Sequence, residues 1–242
     1  MTDHFAGRIA ENYDKDLPWS FSPEVLNPTV NTLAALAVGG RCLEFAIGTG
    51  RVALPLVAKG LTVDGIEYSP DMVEQLRKKP GGKAITVTIG DMATADMNQQ
   101  YPLVFLVFNT IMNLTTQEQQ VQCFHNASKH LLPDGKFVVE VMMPALRSFP
   151  PGAIAVPCDI SKTHLGFDTY SIAQQKLSSH HVTIASDGTA AHHVHPFRYV
   201  WPAELDLMAK LAGMHLVSRH ADWHGSEFND DSRQHISVWQ KN

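Results

Sequence analysis

The chain has 242 residues, 44% hydrophobic and 18% charged, with a net charge of −5. That length suits one well-buried domain carrying a modest insertion, and the acidic balance argues against a nucleic-acid partner, which needs a Lys/Arg surplus on one face. Cys42, Cys123 and Cys158 form no C-x-x-C pair, which excludes a disulfide framework and a Cys-based zinc knuckle and suits a reducing cytoplasm. The opening segment MTDHFAGRIAENYDKD lacks a basic n-region and an apolar h-region. No apolar run reaches the ~18 residues of a membrane helix. The expected location is the cytoplasm, without membrane contact.

Helices are expected at 4–13 and 23–37, the second opened by Pro23 after Ser22 and closed by Gly39-Gly40. From residue 41, short apolar strands (41–47, 62–67, 84–89, 102–108, 136–142) alternate with helical patterns (50–59, 70–78, 116–131). Such alternation predicts a mostly parallel sheet covered on both faces. The rhythm breaks after Met143. Pro144, Pro150, Pro151, Gly152 and Pro157 precede two strand-like runs around the turn Ser186-Asp187-Gly188, which read as an inserted antiparallel cap. A helix at 202–213, from Pro202 to Gly213, and strands at 214–220 and 234–240 complete the sheet. The chain therefore divides into 1–143 (lid helices and α/β core), 144–200 (cap) and 201–242 (last helix and strands).

The segment CLEFAIGTGRVALPLVAKG at 42–60 carries the strongest chemical signal. An apolar strand ends in Gly48-Thr49-Gly50 and runs into a helix, where glycines allow a tight turn and close approach of a ligand. Gly48, Gly50 and Ala53 also satisfy G-x-G-x-x-A, so this segment alone leaves a nicotinamide-dependent oxidoreductase open. Three acids tip the balance. Glu44 lies inside the first strand, where a ligand ammonium gives a charge a use. Glu67 closes the second strand, where a carboxylate accepts from both ribose hydroxyls. Asp91 closes the third, where an adenine amino group needs an acceptor and Met92 can pack on the ring. All sit at the sheet edge where open α/β folds bind their ligands.

The spacing Glu44–Gly48-Thr49-Gly50–Glu67–Asp91-Met92 resembles class I S-adenosylmethionine-dependent methyltransferases, over about residues 5–143 and more loosely the last forty. The resemblance implies a Rossmann-like seven-stranded sheet in the order 3-2-1-4-5-7-6, last strand antiparallel, with the cap inserted after the fifth strand. It implies S-adenosylmethionine as cofactor, held by Tyr13, Glu44, Ala46, Gly48, Gly50, Glu67, Tyr68, Met72, Asp91, Met92, Phe108 and Asn109. Ala46 departs from the family, standing where many members of D-x-G-x-G-x-G pattern have glycine.

The run VFNTIMNLTTQEQQ at 107–120 resembles bacterial small-molecule enzymes and lacks the N-P-P-[YF] or D-P-P-Y tetrapeptide of nucleic-acid amino methyltransferases. In IAENYDKDLPW the resemblance places Tyr13 in a helix over the cofactor, with Phe5 and Trp19 completing an aromatic lid. Phe5, Trp19, Asn113, Arg198 and Tyr199 are the expected substrate contacts. The histidines of the cap, His180, His181, His192, His193 and His195, include no second ligand type at metal spacing, so no metal is expected. His195, which shares a strand face with His193, is the candidate base, beside Tyr13 as candidate catalytic residue.

The expected function is methyl transfer to an amine or hydroxyl of a small molecule, with the amine favoured. An NAD(P)-dependent oxidoreductase is the alternative, although no Y-x-x-x-K pair is present. A non-catalytic protein that binds S-adenosylmethionine is another. The oligomeric state stays open.

Overall fold

The computed structural model describes residues 3–242. Helix α1 (Arg8–Asp16) starts later than the pattern suggests because Gly7, at φ 59°, turns the chain away from helical geometry. A 3-10 turn at Pro18–Phe21 leads into α2 (Pro23–Leu36). The core then alternates as expected: β1 (Arg41–Phe45), α3 (Ala53–Ala58), β2 (Thr62–Glu67), α4 (Pro70–Lys78), β3 (Thr86–Ile89), β4 (Tyr101–Leu106), α5 (Gln117–Lys129) and β5 (Leu131–Met142). Residues 50–52 form a turn and not a first helical turn, because Gly50 takes φ 81°. Strand β4 stops at Leu106 because Phe108 and Asn109 both adopt left-handed backbone.

These five strands pair in parallel; β1, β2 and β4 bury both faces, while β3 at the edge stays partly exposed. Alternation along β4 shows the division. Val104 and Leu106 enter one apolar cluster with Phe124 of α5, while Leu103 and Phe105 enter another with Leu33 of α2 and Leu56 of α3.

After Met142 the chain builds a separate antiparallel sheet: β6 (Ala155–Ile160), β7 (His164–Ser171), β8 (Lys176–Ile184) and β9 (Ala190–Arg198), in that order. Sequence alternation had exposed only the last two. Strand β6 is an exposed edge strand carrying Pro157, with a register break between Pro157 and Asp159, and neither it nor β7 presents a regular apolar face. The inner side of this sheet is not detached from the core. Tyr170, Leu177 and Tyr199 belong to the same apolar cluster as β4 and α5, with Phe149 and Phe197 packed against it.

Helix α6 (Pro202–Leu211) then leads into β10 (Met214–His220) and β11 (Gln234–Lys241). Strand β11 inserts between β5 and β10, antiparallel to both, giving the order β10-β11-β5-β4-β1-β2-β3. This is the seven-stranded order the resemblance implied. No helix among the described residues is long and apolar enough to cross a membrane.

Candidate active site

The carboxyl ends of β1, β2 and β4 open onto a cavity of about 330 Å³, roofed by residues 3–5 and Tyr13 of α1. Of the residues singled out in sequence, Phe5, Tyr13, Glu44, Ala46, Gly48, Glu67, Tyr68, Met72, Asp91, Met92, Phe108 and Asn113 line it. Glu67 is buried and holds the loop after β1 in place. Its Oε2 accepts from Gly48 N–H at 2.8 Å and its Oε1 from Ser69 N–H at 2.9 Å. Burial pushes its carboxyl up, and these backbone donors pull it back. Glu44 is fully enclosed beneath the same loop. Burial drives its carboxyl well above the usual range against the pull of the Arg51 guanidinium, and its Oε2 has no hydrogen-bond partner among the described residues. Asp91 Oδ1 accepts from Ala93 N–H at 2.8 Å, fixing the turn after β3.

The glycines divide in role. Gly48, at φ 56°, has open space over it apart from Met72 Cε, which a Cβ would meet at 3.4 Å. Gly50 lies outside the cavity lining, and a Cβ there would strike Leu76 Cδ1 at 2.4 Å. Its smallness serves the packing of α3 against α4, where Leu54 and Leu76 close over it. Ala46 takes φ 52°, so the position that is glycine in many relatives keeps glycine's backbone without its freedom.

Five further expected residues stand back from the cavity. Asn109 turns its side chain away, its Oδ1 accepting from Met142 N–H at 2.6 Å. Trp19 is half exposed and packs against the Phe108 ring at 5.7 Å from outside. Arg198 is buried in a polar node, donating to Glu204 Oε1 at 2.7 Å, to Gln175 Oε1 at 3.1 Å and to Gln120 of α5. Tyr199 is buried and donates to Ile172 O at 3.2 Å. Both anchor the cap and lie outside the cavity lining. His195 lies one layer behind the wall, its ring 6.3 Å from Phe5 and 5.9 Å from His4, while its neighbour Pro196 lines the cavity. Burial and the adjacent His181 hold the His195 imidazole below its ordinary pKa, hence neutral at pH 7.

Other groups at the site went unremarked in sequence. Thr49 Oγ1 donates to Asp14 Oδ1 at 2.6 Å and Lys79 pairs with the same carboxylate, latching α1 over the cavity. The Arg51 guanidinium lies 4.5 Å from the Phe108 ring centroid. Glu140 of β5 accepts from Phe108 N–H at 2.8 Å. Thr110, Thr115 and Gln119 give the outer wall neutral hydrogen-bonding groups. A lone acid inside the apolar run FVVEVMM was the signal available for Glu140, the same signal that exposed Glu44.

The chain is similar to known methyltransferases. The methyltransferase-domain family matches residues 42–135. The structure of the CcbJ methyltransferase from Streptomyces caelestis is 35% identical over 96% of both chains, with a TM-score of 0.86. The chain belongs to the S-adenosylmethionine-dependent methyltransferases. It is of class I, and S-adenosylmethionine is its cofactor. The cypemycin N-terminal methyltransferase of a Streptomyces species is 24% identical over 209 residues, 84% of each chain. An amino pentose methyltransferase of Micromonospora echinaspora, solved with S-adenosylmethionine bound, shares the fold with a TM-score of 0.72 at 18% identity over the whole of both chains. The nicotinamide alternative is thereby set aside.

The residues present fit a methyltransferase cofactor. A buried carboxyl oxygen of Glu44 lacks a partner among the described residues, the Gly48 backbone is open to close approach, and four carboxyl groups (Asp3, Glu44, Glu67 and Asp91) against the Arg51 guanidinium make the cavity attractive to a cationic ligand.

Proposed function

We propose that this methyltransferase acts on an amine of a small molecule. The observation that carries the reading is the charge of the wall: acids outnumber cations, and the outer side adds only neutral hydroxyl and amide groups from Thr110, Asn113, Thr115 and Gln119. Such a wall favours an acceptor that carries positive charge before it reacts. The cypemycin enzyme, named for methylation of an N-terminus, supports the same direction.

S-adenosylmethionine, when bound, supplies an electrophilic methyl group on a sulfonium. In our reading Glu67 accepts from the ribose hydroxyls, since each of its oxygens keeps lone pairs beyond those spent on Gly48 and Ser69. Asp91 faces the adenine side, with Met92 and Tyr68 beside it, and Met72 packs beneath the Gly48 turn. Glu44 takes the ammonium side. Tyr13 and Phe108 exclude water around the reacting centre and Phe5 closes the roof, so positioning and desolvation dominate the chemistry. Residues 144–200 form the acceptor-facing cap, contributing Pro196 to the wall and His195 behind it. An amine that arrives as its ammonium gives that proton to water before it attacks with its own lone pair, so His195 orders the roof and removes no proton in the rate-limiting step.

The test is methyl transfer from labelled S-adenosylmethionine to matched small amines and alcohols, including terminal peptide amines and amino sugars. Amines are expected to react and their hydroxyl counterparts not to. His195→Ala is expected to lower kcat less than about tenfold, below the 10²–10⁴ range of a general base. Turnover of alcohols alone, or a loss of several hundredfold at His195, would overturn the amine reading.

A further inference from the structure

Phe108 holds a backbone conformation that a bulky residue rarely adopts. Its φ is 62° and that of Asn109 is 64°, two left-handed residues in succession at the end of β4. Asparagine tolerates that region, but phenylalanine does so only where its surroundings impose it, and such outliers cluster at working sites. The imposing group is one carboxylate. Glu140 Oε2 accepts from Phe108 N–H at 2.8 Å, and Glu140 O accepts from Asn109 N–H at 3.2 Å. The other carboxylate oxygen, Oε1, accepts from the indole Nε1–H of Trp223 at 2.7 Å, a residue of the distant loop between β10 and β11. Glu140 itself does not line the cavity, whereas Phe108 does, with Arg51 at 4.5 Å from one side and Trp19 at 5.7 Å from outside.

We propose that Glu140 is a positioning residue, which shapes the methyl-transfer cavity by pinning the Phe108 amide, with Trp223 aiming its carboxylate. This rests on the reading that Phe108 borders the cofactor. An ionised carboxylate is the one side chain at this position that accepts from two fixed donors at once, one per oxygen. Glu140→Gln keeps the shape but must turn its amide nitrogen toward either the indole or the Phe108 N–H, both of which are donors. Released from its acceptor, the turn relaxes toward right-handed backbone and carries the ring off the wall.

The experiment uses the whole chain in four forms: unaltered, Glu140→Gln, Phe108→Ala and the double variant. S-adenosylhomocysteine affinity is measured by isothermal titration. Glu140→Gln is expected to weaken it about tenfold, the scale of one charge-assisted hydrogen bond, in the unaltered background and less than about twofold in the Phe108→Ala background. Amide hydrogen exchange across 106–112, measured without ligand, is expected to quicken about tenfold in Glu140→Gln. Trp223→Phe, which leaves the Phe108 bond but frees the carboxylate, is expected to show about threefold changes in the same direction, so the proposal stays testable should Glu140→Gln fold poorly. Equal losses in both backgrounds, or unaltered exchange in Glu140→Gln and Trp223→Phe, would overturn it. If the unaltered chain failed to bind S-adenosylhomocysteine, the reading of the cavity would fall first, and this proposal with it.

Discussion

Glu67 shows how much one side chain is asked to do. It is nearly inaccessible, yet ionisation is needed there, because each oxygen receives a fixed backbone N–H from a different loop. Glu67→Gln must place an NH2 group against Gly48 or Ser69, disturbing the loop as well as any ribose contact. S-adenosylhomocysteine affinity is expected to drop about tenfold or more, since a hydrogen bond to a charged group contributes about 1.5–3 kcal/mol. Titration calorimetry checks this, and an affinity within twofold of the unaltered chain would remove the ribose assignment. His235 poses the opposite problem. Burial lowers its imidazole pKa to about 4, its Nδ1 shares a hydrogen bond with Ser237 Oγ at 2.8 Å, and its Nε2 has no partner among the described residues. Because the folded pKa lies below the unfolded value near 6.5, this group's stabilisation is present above about pH 6.5 and drains away as pH falls toward 4. Between pH 7.5 and 5 it should account for about 2 kcal/mol of lost stability. Urea unfolding of His235→Gln at both pH values is expected to show a drop smaller by about that amount.

Among the elements, legibility followed burial. Strands β1, β2, β4 and β5 were readable because two buried faces turn each into an apolar run, and an acid inside such a run stands out, as Glu44 did. Glu140 gave the same signal, but its purpose depends on a tryptophan 83 residues onward, which spacing along one strand cannot reveal. The cap strand β6 was hidden because an exposed edge strand needs no apolar period, and β7, HLGFDTYS, mixes polar and apolar residues on both faces. Arg198 and Tyr199 looked like pocket residues by position, whereas the charge of Arg198 is spent on α5 and α6. Arg198→Met should therefore act on stability. Leaving Glu204 and Gln120 without their buried partner is expected to cost about 3 kcal/mol. S-adenosylhomocysteine affinity should stay within about threefold. Thermal unfolding and calorimetry separate the two effects. A stable variant with a raised acceptor KM would return Arg198 to the substrate side.

At the scale of the whole molecule, β11 is the last strand of the described chain and yet an interior one, seated between β5 and β10. Its Ile236, Val238 and Trp239 are buried, and its register matches β5 from Gln234 opposite Met142 to Gln240 opposite Lys136. Order of manufacture therefore runs against order of assembly. On the ribosome, the parallel strands, the roof and the cap all emerge while the slot beside β5 stands open, showing a bare hydrogen-bonding edge and the apolar faces that Trp239 will cover. Such an edge invites the wrong strand, so the nascent protein is exposed to misassociation until β11 has emerged. A chain ended at residue 233 should consequently not behave as a trimmed enzyme. It is expected to lose near-ultraviolet dichroism, bind a hydrophobic dye and aggregate, although every cavity-lining residue is retained. If that shortened chain instead stayed soluble and bound S-adenosylhomocysteine normally, the first five strands would be self-sufficient, and closing the sheet would be a finishing step and not the event that makes the protein fold.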